Sequence, residues 1–472
     1  MNKSLSNNFR RLSLIFIIGF TAAQLQGQVN LTSYHQFNDS SKTNFNPAMY
    51  DISDAKLDIA FMNMDLGFHS NYKYSDMIHK GTGIYSDSLV LDFPKFRNAT
   101  GTANHFSIGN NLTLFRVSLK LGTPSEETQY GGLPHHLTVG LRYRVMTNMS
   151  FNDDFVTLFT QGNAATYTDL LTGSLGLNAT AMRELSVGYG RRINKRFWAG
   201  INLKYLQGYY NVATSKFNLG MQGVDFENYI DVTSSAEFRV SGPVTFEYDT
   251  NQFISGADFT SPDFGLSDMF FSKGNPGIAV DLGIVYEAND RLVLSASLTD
   301  LGSIRWKEDV KIIEQNTSYR YNPADLSNSY DEELENYISP DDVFDALTED
   351  FKQSFKTYET ESAYTQSLPY QFYLGARYTL NPTLNAGLVY SKQAFRHFDQ
   401  DLVAASLNAF MLNFLSISGN LILDGNDTYF GLGGSLTLGP IQLSMSLNNI
   451  KAVSDPANAN TGAIQFGMRV RM

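Results

Sequence analysis

Cationic side chains recur at alternate positions in several short segments of this chain. In one segment Arg142 and Arg144 are interleaved with the apolar residues Leu141 and Tyr143. Because successive side chains of a β-strand point to opposite faces, such a segment carries its cations on one face and its apolar residues on the other. The candidate interior and ligand-binding residues selected on this ground, with one acidic neighbour, are Arg116, Lys120, Arg142, Arg144, Lys204, Asp281 and Arg377.

Two chemical roles fit these charges in a protein with a net charge of −12. If they face a common interior, the cations would bind or steer carboxylates and other anionic groups, since a low-dielectric cavity focuses the field of like charges. Alternatively, they pair with interior carboxylates such as Asp281 and fill the space between the strands. Arg469 and Arg471 alternate with apolar residues in the same way in the last segment of the chain. The spacing alone leaves both roles open.

Patterns typical of enzymes are absent from the sequence. The seven histidines are scattered, and none belongs to a His-Glu-x-x-His metal site. Neither a Gly-x-Ser-x-Gly nucleophile elbow nor a phosphate-binding loop occurs. We therefore expect no catalytic residue, no metal and no cofactor. A lipid hydrolase whose Ser and His meet only in space is an alternative that sequence spacing does not exclude.

Acidic residues are concentrated between Glu308 and Glu361. The twelve-residue Asp-x-Asp-x-Asp-Gly pattern of a calcium loop is missing, which favours a solvated surface loop. Within this loop Ser339-Pro340-Asp341-Asp342 predicts a helix start. The apolar residues that follow at helical spacing are Val343, Phe344, Leu347, Phe351 and Phe355. This short helix is expected to pack over the mouth of the protein, or alternatively to dock a partner.

The elements that must position these residues are β-strands with one apolar face. In the hairpin centred on Gly439-Pro440, apolar residues alternate with Ser, Thr and Gln on both sides of the turn. The same period of two recurs along most of the chain, and few segments predict a covering helix. Lipid is the simplest environment for so much one-sided apolar surface, and strands cross lipid only as a closed barrel. We predict an all-β, antiparallel transmembrane barrel of about 14 strands, with 16 as the alternative.

Three regions follow from this pattern. Residues 1–27 resemble an export signal, with Lys3, Arg10 and Arg11 before an apolar run. Residues 28–54 are polar and irregular and are predicted to form a plug or periplasmic lead. Residues 55–472 form the barrel, with long loops at 208–274 and 307–367, tight turns at the opposite rim, and a last strand that closes the ring. The predicted location is the outer membrane.

Three motifs resemble a known family. They are Asn46-Pro47-Ala48, Ser297-Leu298-Thr299-Asp300-Leu301-Gly302-Ser303-Ile304-Arg305-Trp306 and Leu368-Pro369-Tyr370-Gln371-Phe372-Tyr373-Leu374-Gly375-Ala376. The chain resembles an uncharacterised family of Bacteroidota outer-membrane barrels, and is more distantly similar to the long-chain fatty-acid transporter superfamily, which includes type IX secretion accessory barrels. The resemblance implies about 14 strands, a plug that contains Asn46, Pro47 and Ala48, and a lateral exit for apolar cargo.

The expected function is that of a non-enzymatic barrel that transports or binds a small apolar or amphipathic molecule. The alternative is a structural or adaptor barrel in protein secretion or surface assembly. Expected partners are outer-membrane lipid, a small hydrophobic ligand, and other outer-membrane or secretion proteins. No nucleic-acid partner is expected.

Overall fold

The computed structural model describes residues 31–36, 42–49, 56–83, 86, 88–122, 135–161, 170–224, 229–242, 244–249, 254–259, 274–321, 330–331, 336–337, 353–411, 414–425 and 427–472. The predicted signal peptide lies outside the described residues. So does the predicted amphipathic helix, apart from its last position, Phe355. The boundaries of the three predicted regions therefore stay predictions.

Strands dominate the described part of the chain. Their bounds are β1 Leu57–Ser70, β2 Ile78–Lys80, β3 Leu89–Leu91, β4 Asn104–Leu121, β5 His135–Phe151, β6 Leu171–Asn194, β7 Phe197–Val224, β8 Tyr229–Ser241, β9 Val244–Tyr248, β10 Ile254–Phe259, β11 Asn275–Glu287, β12 Leu292–Trp306, β13 Val310–Tyr321, β14 Tyr330–Asp331, β15 Asn336–Tyr337, β16 Tyr358–Thr360, β17 Tyr364–Ser367, β18 Tyr370–Asn381, β19 Leu384–Ala394, β20 Asp399–Met411, β21 Leu415–Asp424, β22 Asp427–Leu438, β23 Ile441–Leu447 and β24 Thr461–Arg471.

The helices are short. The α-helices are Lys42–Phe45, Tyr74–Met77, Phe93–Ala99, Asp153–Gln161 and Lys451–Ser454, and the 3₁₀ turns are Leu31–Ser33 and Pro456–Asn458. The helix Asp153–Gln161 interrupts the strand pattern between β5 and β6. No helix in the described residues is both long and apolar enough to cross a bilayer.

Fourteen of the described strands form a closed antiparallel ring, which confirms the predicted barrel. Its order is β1-β4-β5-β6-β7-β11-β12-β18-β19-β20-β21-β22-β23-β24. The last strand then pairs with the first, from Asp58 opposite Arg471 to His69 opposite Thr461. Closure satisfies the backbone hydrogen-bonding groups that an open sheet would leave at its edges.

The two faces of each strand have the compositions that the alternation predicts. On β11 the outward residues Ile278 and Ile284 are 70% and 43% exposed, whereas the inward residues Ala279 and Asp281 are buried. The described helices do not cover this outer apolar face, so it must contact lipid. The result is a transmembrane β-barrel with many polar side chains in its interior.

The two rims of the barrel differ. Tight turns lie at residues 195–196, 288–291, 382–383 and 439–440, and the last of them is the predicted Gly439-Pro440 turn. These lie at one rim, here called the tight-turn end, while the long connections lie at the opposite rim, the loop end. The connections at 208–274 and 307–367 contain strands of their own: β7 continues beyond Gly208 and pairs with β8, and β8 pairs with β13.

Candidate functional site

The N-terminal segment occupies the interior of the barrel. We call its described parts, residues 31–36 and 42–49, the plug. Tyr34 and Asn46 are fully buried in it, and Ala48 is 2% exposed. The predicted plug residues Asn46, Pro47 and Ala48 therefore lie against the inner wall of the barrel.

Asn46 fastens the plug to the wall. Its Nδ2 donates hydrogen bonds of 3.1 Å to the carbonyl oxygens of Ile284 on β11 and Ala296 on β12. Its Oδ1 accepts a 2.8 Å hydrogen bond from the Ala48 amide, which turns the chain locally. His136 Nε2 lies 3.2 Å from the Pro47 carbonyl oxygen. The Asn-Pro-Ala motif is thus the anchor of the plug.

A row of glycines makes room for this anchor. Gly190, Gly200 and Gly283 are directly opposite one another on β6, β7 and β11. A side chain at Gly283 would overlap Asn46, and one at Gly200 would overlap the Pro47 carbonyl group. Without Cβ atoms, the wall lets the backbone of the plug approach closely.

Residues 31–36 of the plug pack on an apolar part of the inner wall that includes Tyr373 and Val389, and they also make polar contacts there. Tyr34 lies 3.2 Å from Ser295 through its hydroxyl, and His35 Nε2 lies 3.2 Å from the Leu388 carbonyl oxygen. Burial, with smaller contributions from the positive charges of Arg377 and Lys42, lowers the pKa of His35 to about 3, although the hydrogen bond to the Leu388 carbonyl acts in the opposite direction. This histidine is therefore neutral at physiological pH.

Replacing Asn46 with Ala should loosen the plug. Two hydrogen bonds to the wall would be lost, a cost of about 1–3 kcal/mol to plug seating, while the barrel ring stays intact. Limited proteolysis of the folded protein, followed by mass analysis of the N-terminal segment, measures the change. Asn71→Ala is the control, because Asn71 bonds the Ala103 carbonyl on the loop side and does not touch the plug. Equal cleavage of both variants would contradict the anchor role.

A second interior feature is a compact cluster of opposite charges. Lys204 Nζ lies 2.6 Å from Asp281 Oδ1 and 2.7 Å from Asp300 Oδ1. The members of this buried charge cluster are Arg142, Arg144, Lys204, Glu184, Asp281 and Asp300. The formal charges of the three cations and three carboxylates cancel, so at this level the interior is neutral.

Arginine geometry strengthens the charge cluster. Arg144 binds Asp300 with two parallel hydrogen bonds of 2.8 and 2.9 Å. Arg142 Nη2 donates to both oxygens of Glu184, at 2.8 and 2.7 Å. Paired hydrogen bonds of this kind fix orientation as well as charge. The charge cluster thereby ties β5 and β6 to β12 on the far side of β7 and β11.

Asp300 reaches the charge cluster through a β-bulge. Its φ is +61°, a left-handed conformation that is uncommon for residues other than glycine. The register between β11 and β12 shifts beside it, and its amide donates a 2.8 Å hydrogen bond to Asp281 Oδ1. Strict alternation from Leu294 would place Asp300 on the lipid face. The bulge turns it inward.

The predicted interior residues separate into two groups. Arg142, Arg144, Lys204 and Asp281 meet in the charge cluster. The others are placed elsewhere: Arg116 donates to Thr43 and Asn44 of the plug, Lys120 lies opposite His136, and Arg377 lies near His35.

Sequence reasoning missed Glu184 and Asp300, as well as the glycine row. Glu184 had a signal, because Leu185 and Val187 alternate on the outer face and place Glu184 inside. No alternation signal exists for Asp300. Over the part of the chain that the structure describes, no group of three or more His, Asp or Glu residues is placed to hold a metal ion.

Three solved structures cover nearly the whole of this chain but resemble it only weakly. A Pseudomonas aeruginosa FadL homologue has a TM-score of 0.41 and 11% identity, with 95% of this chain and 99% of that chain covered. The P. putida toluene transporter TodX has a TM-score of 0.39 and 9% identity, with 92% and 93% covered. The Ralstonia pickettii toluene transporter TbuX has a TM-score of 0.38 and 8% identity, with 95% and 97% covered. Likeness this low does not bear on how the present barrel works.

Sequence comparison places the chain in one family. No curated protein matches it. One family model matches residues 47–448. The match begins at Pro47 of the Asn-Pro-Ala anchor and ends just after β23. This match covers most of the chain. The chain belongs to the family described as "Family of unknown function (DUF5723)".

Proposed function

We propose that this protein transports a small apolar or amphipathic molecule across the outer membrane, with the plug as its gate. The observation that carries the proposal is an apolar patch on the inner wall beneath the plug. Its wall residues are Tyr373, Val389, Leu402, Ala404, Ile422 and Tyr429, and the plug residues that cover it are Leu31, Tyr34 and Phe45.

The apolar patch is unusual for its position. An inner wall that only contacts water and the side chains that fill the barrel needs no apolar surface. The neighbouring inward positions Asn420 and Gln400 are polar. A displaced plug would expose aromatic and aliphatic side chains inside the barrel. Such a surface binds apolar groups by removing them from water.

The same part of the wall is apolar on its outer side. A groove of about 530 Å³ lies there, lined by residues that include Ile284, Leu294, Ala296, Leu374, Ala376 and Leu388. Behind it, on the inner side, Tyr34 contacts Ser295. This outer surface is apolar because it faces lipid, as on every strand, so an apolar molecule that left the barrel here would enter the bilayer directly.

A disulfide between plug and wall tests the gate. The Cγ atom of His35 lies 2.7 Å from the point where a Cβ of Gly387 would be, and the other close neighbour is the Ser406 hydroxyl, which can rotate. A His35→Cys, Gly387→Cys variant removes the imidazole ring and brings two Cβ atoms within reach of a disulfide, which needs about 3.5–4.5 Å. The chain has no cysteine of its own, so the engineered pair is unique. We expect the oxidised variant to stop entry of the apolar dye N-phenylnaphthylamine into expressing cells, and a reductant to restore it.

The control is a disulfide that does not involve the plug. Gly220 and Thr233 are opposite each other on β7 and β8, and the Thr233 Cβ lies 3.7 Å from the point where a Cβ of Gly220 would be. The Gly220→Cys, Thr233→Cys variant should take up dye equally with and without reductant. The transport proposal fails if unmodified barrel admits no more dye than cells without it, or if the plug disulfide has no effect. Either result would favour the structural or adaptor role.

A further inference from the structure

The connection between β19 and β20 reaches across the interior at the loop end. It consists of residues 395–398, and we call it the lid. In the ring, β19 and β20 stand seven places from β4 and β5, which is half of the 14-strand circumference. The lid nevertheless contacts side chains and backbone positions of β4, β5 and β6. A connection this short that touches the opposite wall must cross the mouth of the barrel.

The first contact with the far wall is an aromatic stack. Phe398 of the lid lies on His105 of β4, with ring centroids 4.4 Å apart and ring planes 20° from parallel. His105 Nε2 lies 2.9 Å from His69 Nε2 on β1, and His69 Nδ1 lies 3.3 Å from Asp424 Oδ2 on β21. His69 is buried. This row of side chains therefore joins the far wall to the strand beside β20, from which the lid departs.

The second contact uses a glycine of the far wall. The Cγ atom of His397 lies 2.5 Å from the point where a Cβ of Gly176 would be, and the Ser150 hydroxyl is equally close to that point. A side chain at Gly176 would therefore displace the imidazole ring. His105, Ser150 and Gly176 are directly opposite one another on β4, β5 and β6. The lid thus rests on one continuous row of the inner wall.

The lid is joined to the far wall by side chains rather than by strand pairing. Within the lid, the Phe395 amide donates a 2.9 Å hydrogen bond to the Phe398 carbonyl oxygen, and the two rings lie 4.6 Å apart. Among the described residues, no backbone hydrogen bond links the lid to β4, β5 or β6. Contacts of this kind separate without unfolding a strand, so the lid can move as a unit on β19 and β20.

We infer that the lid is a second gate, which controls entry from the loop end into the interior that the plug occupies. This inference rests on the proposed transport function and adds a regulated step to it. The Asn46 anchor of the plug lies nearer the tight-turn end, against Gly200 and Gly283. A molecule that enters from the loop end therefore meets the lid before the plug. Because the lid has only side-chain contacts with the far wall, it opens more often than the plug leaves, and the plug remains the slower gate.

A disulfide that holds the lid on the far wall tests this gate. The Gly176→Cys, His397→Cys variant removes the imidazole ring and brings two Cβ atoms within reach of a disulfide, which needs about 3.5–4.5 Å. We expect the oxidised variant to admit N-phenylnaphthylamine no faster than cells without the barrel, and a reductant to restore entry. Combined with Gly200→Val, the oxidised pair should cancel the faster dye entry that loss of the plug anchor causes. The control is Gly220→Cys, Thr233→Cys, whose disulfide joins β7 to β8 away from the lid.

Thiol labelling tests the lid without any transported molecule. In intact cells, the cysteine of a Ser150→Cys variant should react slowly with a membrane-impermeant maleimide, because the lid covers it. Adding Phe398→Ala should raise the reaction rate several-fold, since the stack on His105 is lost. Asp231→Cys is the control, because the Asp231 side chain is 39% exposed on β8. Its reaction rate should be the same with and without Phe398→Ala.

The outcomes separate the lid from the transport proposal. Equal dye entry through the oxidised and reduced lid pair, with the disulfide confirmed by mass analysis, would overturn the lid as a gate. An unchanged labelling rate at Ser150→Cys after Phe398→Ala would overturn it as well, and this test decides if the cysteine pair does not fold. In both cases the plug disulfide would still block dye entry. Loss of the plug disulfide effect is the separate result that would end the transport proposal.

Discussion

Replacing Asp300 with Asn should destabilise the folded barrel by about 3–5 kcal/mol, the usual cost of removing one partner from a buried ion pair. Arg144 and Lys204 would then remain in the interior without the carboxylate that both contact, at 2.8 and 2.7 Å. Asn retains the left-handed backbone at this bulge better than most residues, so the loss reports charge rather than strain. The measurement is the temperature at which the barrel loses its folded mobility in detergent gels.

A matched surface variant calibrates this result. Arg320 and Asp231 form an ion pair at 2.8 Å, but both side chains are exposed, by 53% and 39%. Asp231→Asn should cost no more than about 1 kcal/mol, because water screens the pair.

A compensating change should recover part of the stability lost in Asp300→Asn. Adding Lys204→Met removes one cation, so two formal charges of each sign remain. Asp281 loses its ion pair with Lys204 but keeps hydrogen bonds from Asn202 Nδ2 and from the backbone amide of residue 300. Replacing a buried pair as a unit is better tolerated than breaking it. If Asp300→Asn alone melts at the same temperature as the native barrel, the charge cluster does not hold these strands together.

Replacing Gly200 with Val should expel the anchor of the plug and open the barrel to apolar dye. A Cβ at this position would overlap the Pro47 carbonyl group, which is backbone and cannot rotate away. Val is itself favourable in a strand, so the barrel wall should still form. We expect several-fold faster entry of N-phenylnaphthylamine and new protease cleavage within residues 42–49.

The control for this variant is Gly419→Val on β21. A Cβ at Gly419 meets no atom within 4 Å. Dye entry through this variant should equal that through the native barrel. A folded Gly200→Val barrel with unchanged dye entry and an uncleaved plug would contradict the proposal that the plug is the gate. Failure of Gly200→Val to fold would instead direct the test to Asn46→Ala, which leaves the wall untouched.

Most of the architecture could be predicted from the sequence, because the period of two is a local property. The alternation at Ile278 and Ile284 placed Asp281 inside without any knowledge of the neighbouring strands. The tight turns and the closing strand follow equally from local residue types. For residues 28–54, local composition left a plug and a periplasmic lead both open, and only the resemblance carried by the Asn-Pro-Ala motif implied a plug.

The partners of the interior residues were decided by the tertiary structure. Arg144 and Asp300 are 156 positions apart, and only closure of the ring brings them together. Alternation assigns a residue to a face, yet it does not reveal a bulge that reverses the face, as at Asp300. Nor does it show that Gly190, Gly200 and Gly283 form one row, because register between strands depends on pairing across the whole sheet. The period of two therefore determined which side each strand presents to lipid, whereas three-dimensional pairing decided which charges cancel and where the plug is seated.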